Sequence, residues 1–109
     1  MAGFFLIPPE EFNMTIGVIA TLTVAAGKNA EFEDLFAQLV VQVNANEPGC
    51  NFYQFHKSRT DPQVYVVLEQ YADQESFDAH GKTDYFRALG KQMGPCMAAA
   101  PVIELIDGV

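Results

Sequence analysis

The chain reads as one α+β domain, a four-stranded antiparallel sheet carrying helices on one face. Two observations predict it. Segments with strand character at residues 15–24, 50–58, 64–71 and 102–106 alternate with stretches of helical period, in the order strand, helix, strand, strand, two short helices, strand. The length of 109 residues, with 50% hydrophobic and 18% charged residues, supports one hydrophobic core and not two.

The first strand alternates strictly and is rich in β-branched residues. Ile16, Val18, Ala20, Leu22 and Val24 share one face; Thr15, Gly17, Ile19, Thr21 and Thr23 share the other. The second face is small and semi-polar, as suits either a cavity wall or contact with a partner sheet. A turn at 26–29 follows, with Asn29 expected as the helix N-cap and Glu31, Glu33 and Asp34 at the positive helix end. Phe32, Leu35, Phe36, Leu39, Val40 and Val43 then form one apolar stripe, ending near Asn46. Glu47-Pro48-Gly49 is a stop and a turn.

Residues 50–58 and 64–71 are joined by the short turn Arg59-Thr60-Asp61-Pro62, which makes them an antiparallel hairpin. Asp73 is expected to cap a short helix carrying Phe77 and His80, broken by Gly81; Thr83 is expected to cap a second, with Phe86, Leu89 and Met93 inward. Pro101 fits only the start or edge of the last strand. The order is that of the split βαβ, ferredoxin-like arrangement. The hairpin alternates aromatic with aliphatic residues, so the sheet face away from the helices is also apolar and needs a cover; a second copy of so short a chain, hence a homodimer, is the natural one. Residues 1–13 read as an N-terminal arm and 14–109 as the domain. Phe4, Phe5, Leu6 and Ile7 in that arm either seek a surface such as a partner subunit or belong to a tolerated leader.

A net charge of −8 disfavours nucleic acid. Lys82, Arg87 and Lys91 share a neighbourhood, read first as a solvated helix face and otherwise as a local anion site. Two cysteines, Cys50 and Cys96, make no disulfide framework, and two thiols fit a reducing cytoplasm. Neither a membrane span nor a convincing signal peptide is present. No tight metal-ligand spacing, phosphate loop or nucleophile elbow occurs, so no cofactor and no metal are expected.

His80 is the residue best suited to chemistry. Near a helix end and one turn from Phe77, it can face a core-side cavity and exchange a proton near neutral pH. The plainer role is a hydrogen bond to a carbonyl. Asn51, Tyr53, Tyr65 and Tyr71 of the hairpin are expected to orient a phenolic or quinone-like ligand, or else to pack within the sheet. Glu69, mid-strand, is read as a buried anchor before a proton acceptor.

Glu47-Pro48-Gly49-Cys50 with Tyr53, Asp61-Pro62 with Glu69, and Phe77-Asp78-Ala79-His80 with Tyr85-Phe86 together resemble, in order and spacing, the antibiotic biosynthesis monooxygenase family. The resemblance runs over about residues 14–106. It implies a dimeric α+β barrel with a cavity between sheet and helices, and, by likeness to the quinol-monooxygenase type, oxygenation of polyketide phenols or quinols without a cofactor. In that chemistry the substrate anion itself meets oxygen. By that likeness His80 handles the proton, and Tyr53, Tyr71, Phe77 and Phe86 help line the site. Three positions depart from the family pattern: Tyr71 for a frequent Trp, Asn51 for a leucine, and Tyr85 for a common His. The absence of Trp, and of Asn in the first strand, argues against the haem-degrading relatives.

Three functions compete on this reading. One is a cofactor-independent oxygenase of a small aromatic or quinol. Another is a non-catalytic ligand-binding or stress-related dimer using the same cavity. The third, an RNA-stacking sheet built on residues 52–55, is opposed by the charge.

Overall fold

A computed structural model describes residues 14–109; the arm expected at 1–13 lies outside the described residues. The elements are β1 (Ile16–Thr23), α1 (Asn29–Asn46), β2 (Cys50–Lys57), β3 (Val64–Tyr71), α2 (Gln74–His80), α3 (Asp84–Met93) and β4 (Val102–Asp107), with a 3-10 turn at Gly94–Cys96. The sheet order is β2-β3-β1-β4, antiparallel throughout, which is the ferredoxin-like topology expected from the element order.

The period-two reading of β1 holds in detail. Val18, Ala20, Leu22 and Val24 point inward and are buried. They meet the α1 stripe of Phe32, Leu35, Phe36, Leu39 and Val43, all buried. Aromatic rings knit the helix to the hairpin: Phe36 stacks on Phe55 at 4.3 Å, Phe55 on Tyr65 at 5.1 Å, and Phe32 lies 5.2 Å from Tyr65. Such offset pairs add to the area that the rings remove from water.

The ends of the helices follow local chemistry at two places and not at a third. Asp73 accepts from the Ser76 amide at 2.8 Å, and Thr83 Oγ1 accepts from the Phe86 amide at 3.3 Å, as expected of N-caps. Asn29 does not cap α1. It is already helical, Lys28 precedes it as N-cap without a side-chain bond, and the Asn29 amide instead donates to Pro62 O and Tyr65 Oη, both at 2.9 Å. A cross-link to the hairpin base outcompetes the local cap. Gly27, at φ 84°, makes the preceding turn in a conformation that a side chain disfavours.

β2 carries a bulge between Cys50 and Phe52. The extra residue, Asn51, shifts the alternation, so Cys50 and Tyr53 both face the helices while Asn51 and Phe52 face away. The outer sheet face is mixed and not uniformly apolar as expected: exposed Phe52, Val102 and Ile106 and half-buried Ile19, Val66 and Leu68 lie among Gln54, His56, Gln70 and Glu104. Every residue of β4 is exposed, including Ile103 and Leu105 on the inner face. Among the described residues, no helix is long and apolar enough to cross a membrane. Both cysteines are free thiols.

Candidate active site

The inner face of the sheet and the three helices enclose a cavity of about 600 Å³. Val18, Ala20 and Leu22 of β1 line it, with Phe32, Phe36 and Leu39 of α1 opposite. It is therefore the apolar face of β1, and not its small semi-polar face, that borders the cavity. The helices need large side chains there to form the core, and they leave the hollow between them. Pro101 and Ile103 belong to the lining and are exposed, so the cavity reaches solvent beside β4.

Polar groups are few and gather on one wall: Tyr53, Glu69 and His80, with the exposed Asp78 near them. His80, at the end of α2, is 5% exposed. Its Nδ1 lies 2.9 Å from Glu47 Oε1 and 3.1 Å from Oε2. An ionised carboxylate only accepts, so Nδ1 carries the proton and donates to Glu47. The imidazole is wedged between rings, 4.7 Å from Phe86, 5.2 Å from Tyr53 and 5.4 Å from Tyr71. The Tyr85 hydroxyl, from the first turn of α3, donates to Glu47 Oε2. Burial, followed by the bond and charge of Glu47, pushes this phenol up to about 12.

Glu69 is 8% exposed and accepts from the Tyr71 hydroxyl at 2.6 Å. Burial raises its carboxyl above the ordinary carboxylate range, a shift that Tyr71 and His80 oppose and Glu47 reinforces. Because the folded value lies above the unfolded one, the contribution of Glu69 is fully present at acid pH and is lost as pH rises through the folded value. Glu69→Gln, which stays neutral, is expected to escape that loss. In urea unfolding from acid to neutral pH, the stability of Glu69→Gln relative to wild type should rise between the unfolded and the folded value of Glu69 and then level off; a difference independent of pH would refute the assignment.

Geometry at the turn 47–49 explains how residues so far apart in sequence meet. The Gly49 carbonyl accepts from the Ala72 amide at 2.7 Å. A Cβ on Gly49 would fall 2.2 Å from Ser76 Oγ and 2.7 Å from Ser76 Cβ. Only glycine lets the turn that carries Glu47 press against the first turn of the helix that carries His80.

Of the residues the sequence singled out, His80, Tyr53, Phe77 and Phe86 line the cavity together. Tyr71 is fully buried behind that wall, bonded to Glu69 and edge-on to Phe77 at 5.4 Å. Asn51 lies on the outer face, donating to Gln70 Oε1 at 2.8 Å. Tyr65 sits in the core away from the cavity, its hydroxyl donating to Glu33 Oε2 at 2.5 Å. Glu47 and Tyr85 carried no assigned role in the sequence. Cys50, near the same turn, is pushed up to about 11 by burial and by the charges of Glu47 and Glu69, which suits an inert thiol. Among the described residues, no group of three His, Cys, Asp or Glu side chains could hold a metal ion.

The sequence pattern described as antibiotic biosynthesis monooxygenase matches residues 15–92, most of the chain. The chain belongs to that family. A Caulobacter crescentus CB15 crystal structure, provisionally named an antibiotic biosynthesis monooxygenase, is 54% identical over 90% of this chain and 92% of its own, with a TM-score of 0.87. A provisionally named family member from Nitrosomonas europaea shares the fold at 20% identity, with a TM-score of 0.81 over 89% of this chain and 92% of its own. A conserved protein from Methanosarcina mazei Go1 does so at 24% identity, with a TM-score of 0.80 over 88% of this chain and 94% of its own. No curated protein matches. Within this antibiotic biosynthesis monooxygenase domain, the matched span includes Glu47, Glu69, His80 and Tyr85.

Proposed function

We propose that the protein is a cofactor-independent monooxygenase of a small aromatic molecule, a polyketide phenol or a quinol. The observation that carries this reading is the buried His80–Glu47 pair on the wall of an otherwise apolar cavity. His80 Nδ1 is bound to Glu47, and the ring makes no other hydrogen bond to the described residues. Nε2 is thus the nitrogen left to take a proton from a substrate hydroxyl, and the Glu47 carboxylate stabilises the imidazolium that results. The apolar lining holds the ring system of the substrate and keeps water from the anion. The electron-rich anion then reduces dioxygen. One oxygen atom becomes a ring carbonyl and the other leaves as water, so a phenol gives a quinone with no outside reductant. Tyr53 and Glu69 are the other polar side chains on that wall, and they orient the oxygens of the substrate in this reading.

The working unit in this reading is a homodimer. Exposed Phe52, Val102 and Ile106 on the outer sheet face support it, since a second copy would cover them. Sedimentation should give twice the mass of one chain.

Oxygen uptake by metal-stripped, flavin-free protein with a panel of hydroquinones and phenolic polyketides tests the reaction. Uptake above the autoxidation blank, matched by one quinone formed per oxygen consumed, is expected. An absence of uptake across the panel would instead favour a binding dimer that uses the same cavity.

A further inference from the structure

We infer that Tyr85 is a positioning residue for His80, acting through the Glu47 carboxylate. This rests on reading His80 as the proton acceptor, but its first test does not depend on turnover. Glu47 stands in the turn after α1, and its side chain is only 11% exposed. The terminal torsion of a Glu side chain is broad and roughly two-fold, so a carboxylate held by one donor can exchange its oxygens or tilt toward water. Here His80 Nδ1 faces both oxygens, 2.9 Å from Oε1 and 3.1 Å from Oε2, and the Tyr85 hydroxyl donates to Oε2 as a second anchor. Tyr85 therefore fixes the rotation of the carboxylate and keeps Oε1, the nearer oxygen, aimed at the imidazole.

The consequence for His80 is its tautomer. While Glu47 is held, Nδ1 keeps the proton and Nε2 keeps its lone pair, the form a proton acceptor needs. The phenol itself, pushed up to about 12, stays a donor at every working pH. Its placement is local and firm. Thr83 caps α3 and also donates from Oγ1 to His80 O at 3.0 Å, so the helix bearing Tyr85 starts directly from the end of the helix bearing His80. The other groups about His80 leave this task to Tyr85. Tyr53 of β2 and Tyr71 of β3 meet the imidazole with ring faces and edges. Glu69 of β3 is occupied by the Tyr71 hydroxyl, and Asp78 of α2 accepts from Gln74 at 2.9 Å.

Nitrogen-15 NMR of the resting protein reads the tautomer of His80, with exposed His56 as internal reference. Wild type is expected to be mostly Nδ1-protonated in its neutral form. Tyr85→Phe should lower that share by roughly half or more, as expected on losing a hydrogen bond to a charged group. Where turnover is measured, the same variant should lower kcat about tenfold with KM little changed. In a Glu47→Ala background, Tyr85→Phe should change neither quantity further, because its route to His80 is gone. An equal loss in both backgrounds, or an unaltered tautomer in a folded Tyr85→Phe protein, overturns the proposal. A shifted tautomer without oxygen uptake on any substrate would uphold it and sink only the oxygenase reading.

Discussion

His80→Ala is expected to abolish nearly all turnover while leaving a folded protein. Removing a placed general base costs about 10²- to 10⁴-fold in rate. The structural penalty is smaller, because Glu47 retains the Tyr85 hydroxyl and some solvent contact. A lost buried hydrogen bond, with part of a cavity opened, amounts to about 1–3 kcal/mol. Steady-state oxygen uptake beside a urea unfolding curve separates the two effects. A cooperative unfolding transition with kcat reduced a hundredfold or more supports the role. Unchanged kcat in His80→Ala would move the proton acceptor elsewhere, and Glu69 is the next ionisable group on the cavity wall.

Phe32→Ala should have the largest effect on stability, about 3–5 kcal/mol. Phe32 is 1% exposed and lies within 6 Å, ring centre to ring centre, of Phe36, Phe55 and Tyr65. Its removal deprives the seam between α1 and the hairpin of its central ring. Because Phe32 also borders the cavity, the space vacated joins an existing hollow and collapse cannot refill it. Set against a typical domain stability of about 5–15 kcal/mol, this is a loss that chemical denaturation will read directly. A shift below about 1 kcal/mol would mean that the aromatic seam is not what holds the helix to the sheet.

The two expectations differ in how early they could be made. Phe32 declared itself through periodicity, as did the inward face of β1, because burial imposes spacings that a sequence displays. Asp73 and Thr83 were legible as caps, since the groups they satisfy lie three residues away. Asn29 was not. The bonds that draw it off the helix end come from residues 33 and 36 positions distant. The site divides along the same line. His80 and Tyr53 stood out by residue type and position in their elements, and Phe77 and Phe86 through the family resemblance. Asn51 would share a face with Tyr53 under plain alternation, and one bulge turns it outward. Glu47 and Tyr85 were visible as motif positions, but their meeting joins residues 38 apart, and only the packing of the turn on α2 brings it about.

The contact between Gly49 and Ser76 bears on how a mutational survey of this chain would look. Side chains introduced at position 49 are expected to push the turn off α2 and so to disturb the His80–Glu47 pair, although Gly49 presents no functional group to any ligand. Rank by sensitivity alone would enrol it among the reactive residues. Paired substitutions that trim residue 76 to glycine would recover such variants, and would mark the site as a clasp setting the distance between two halves of the machinery.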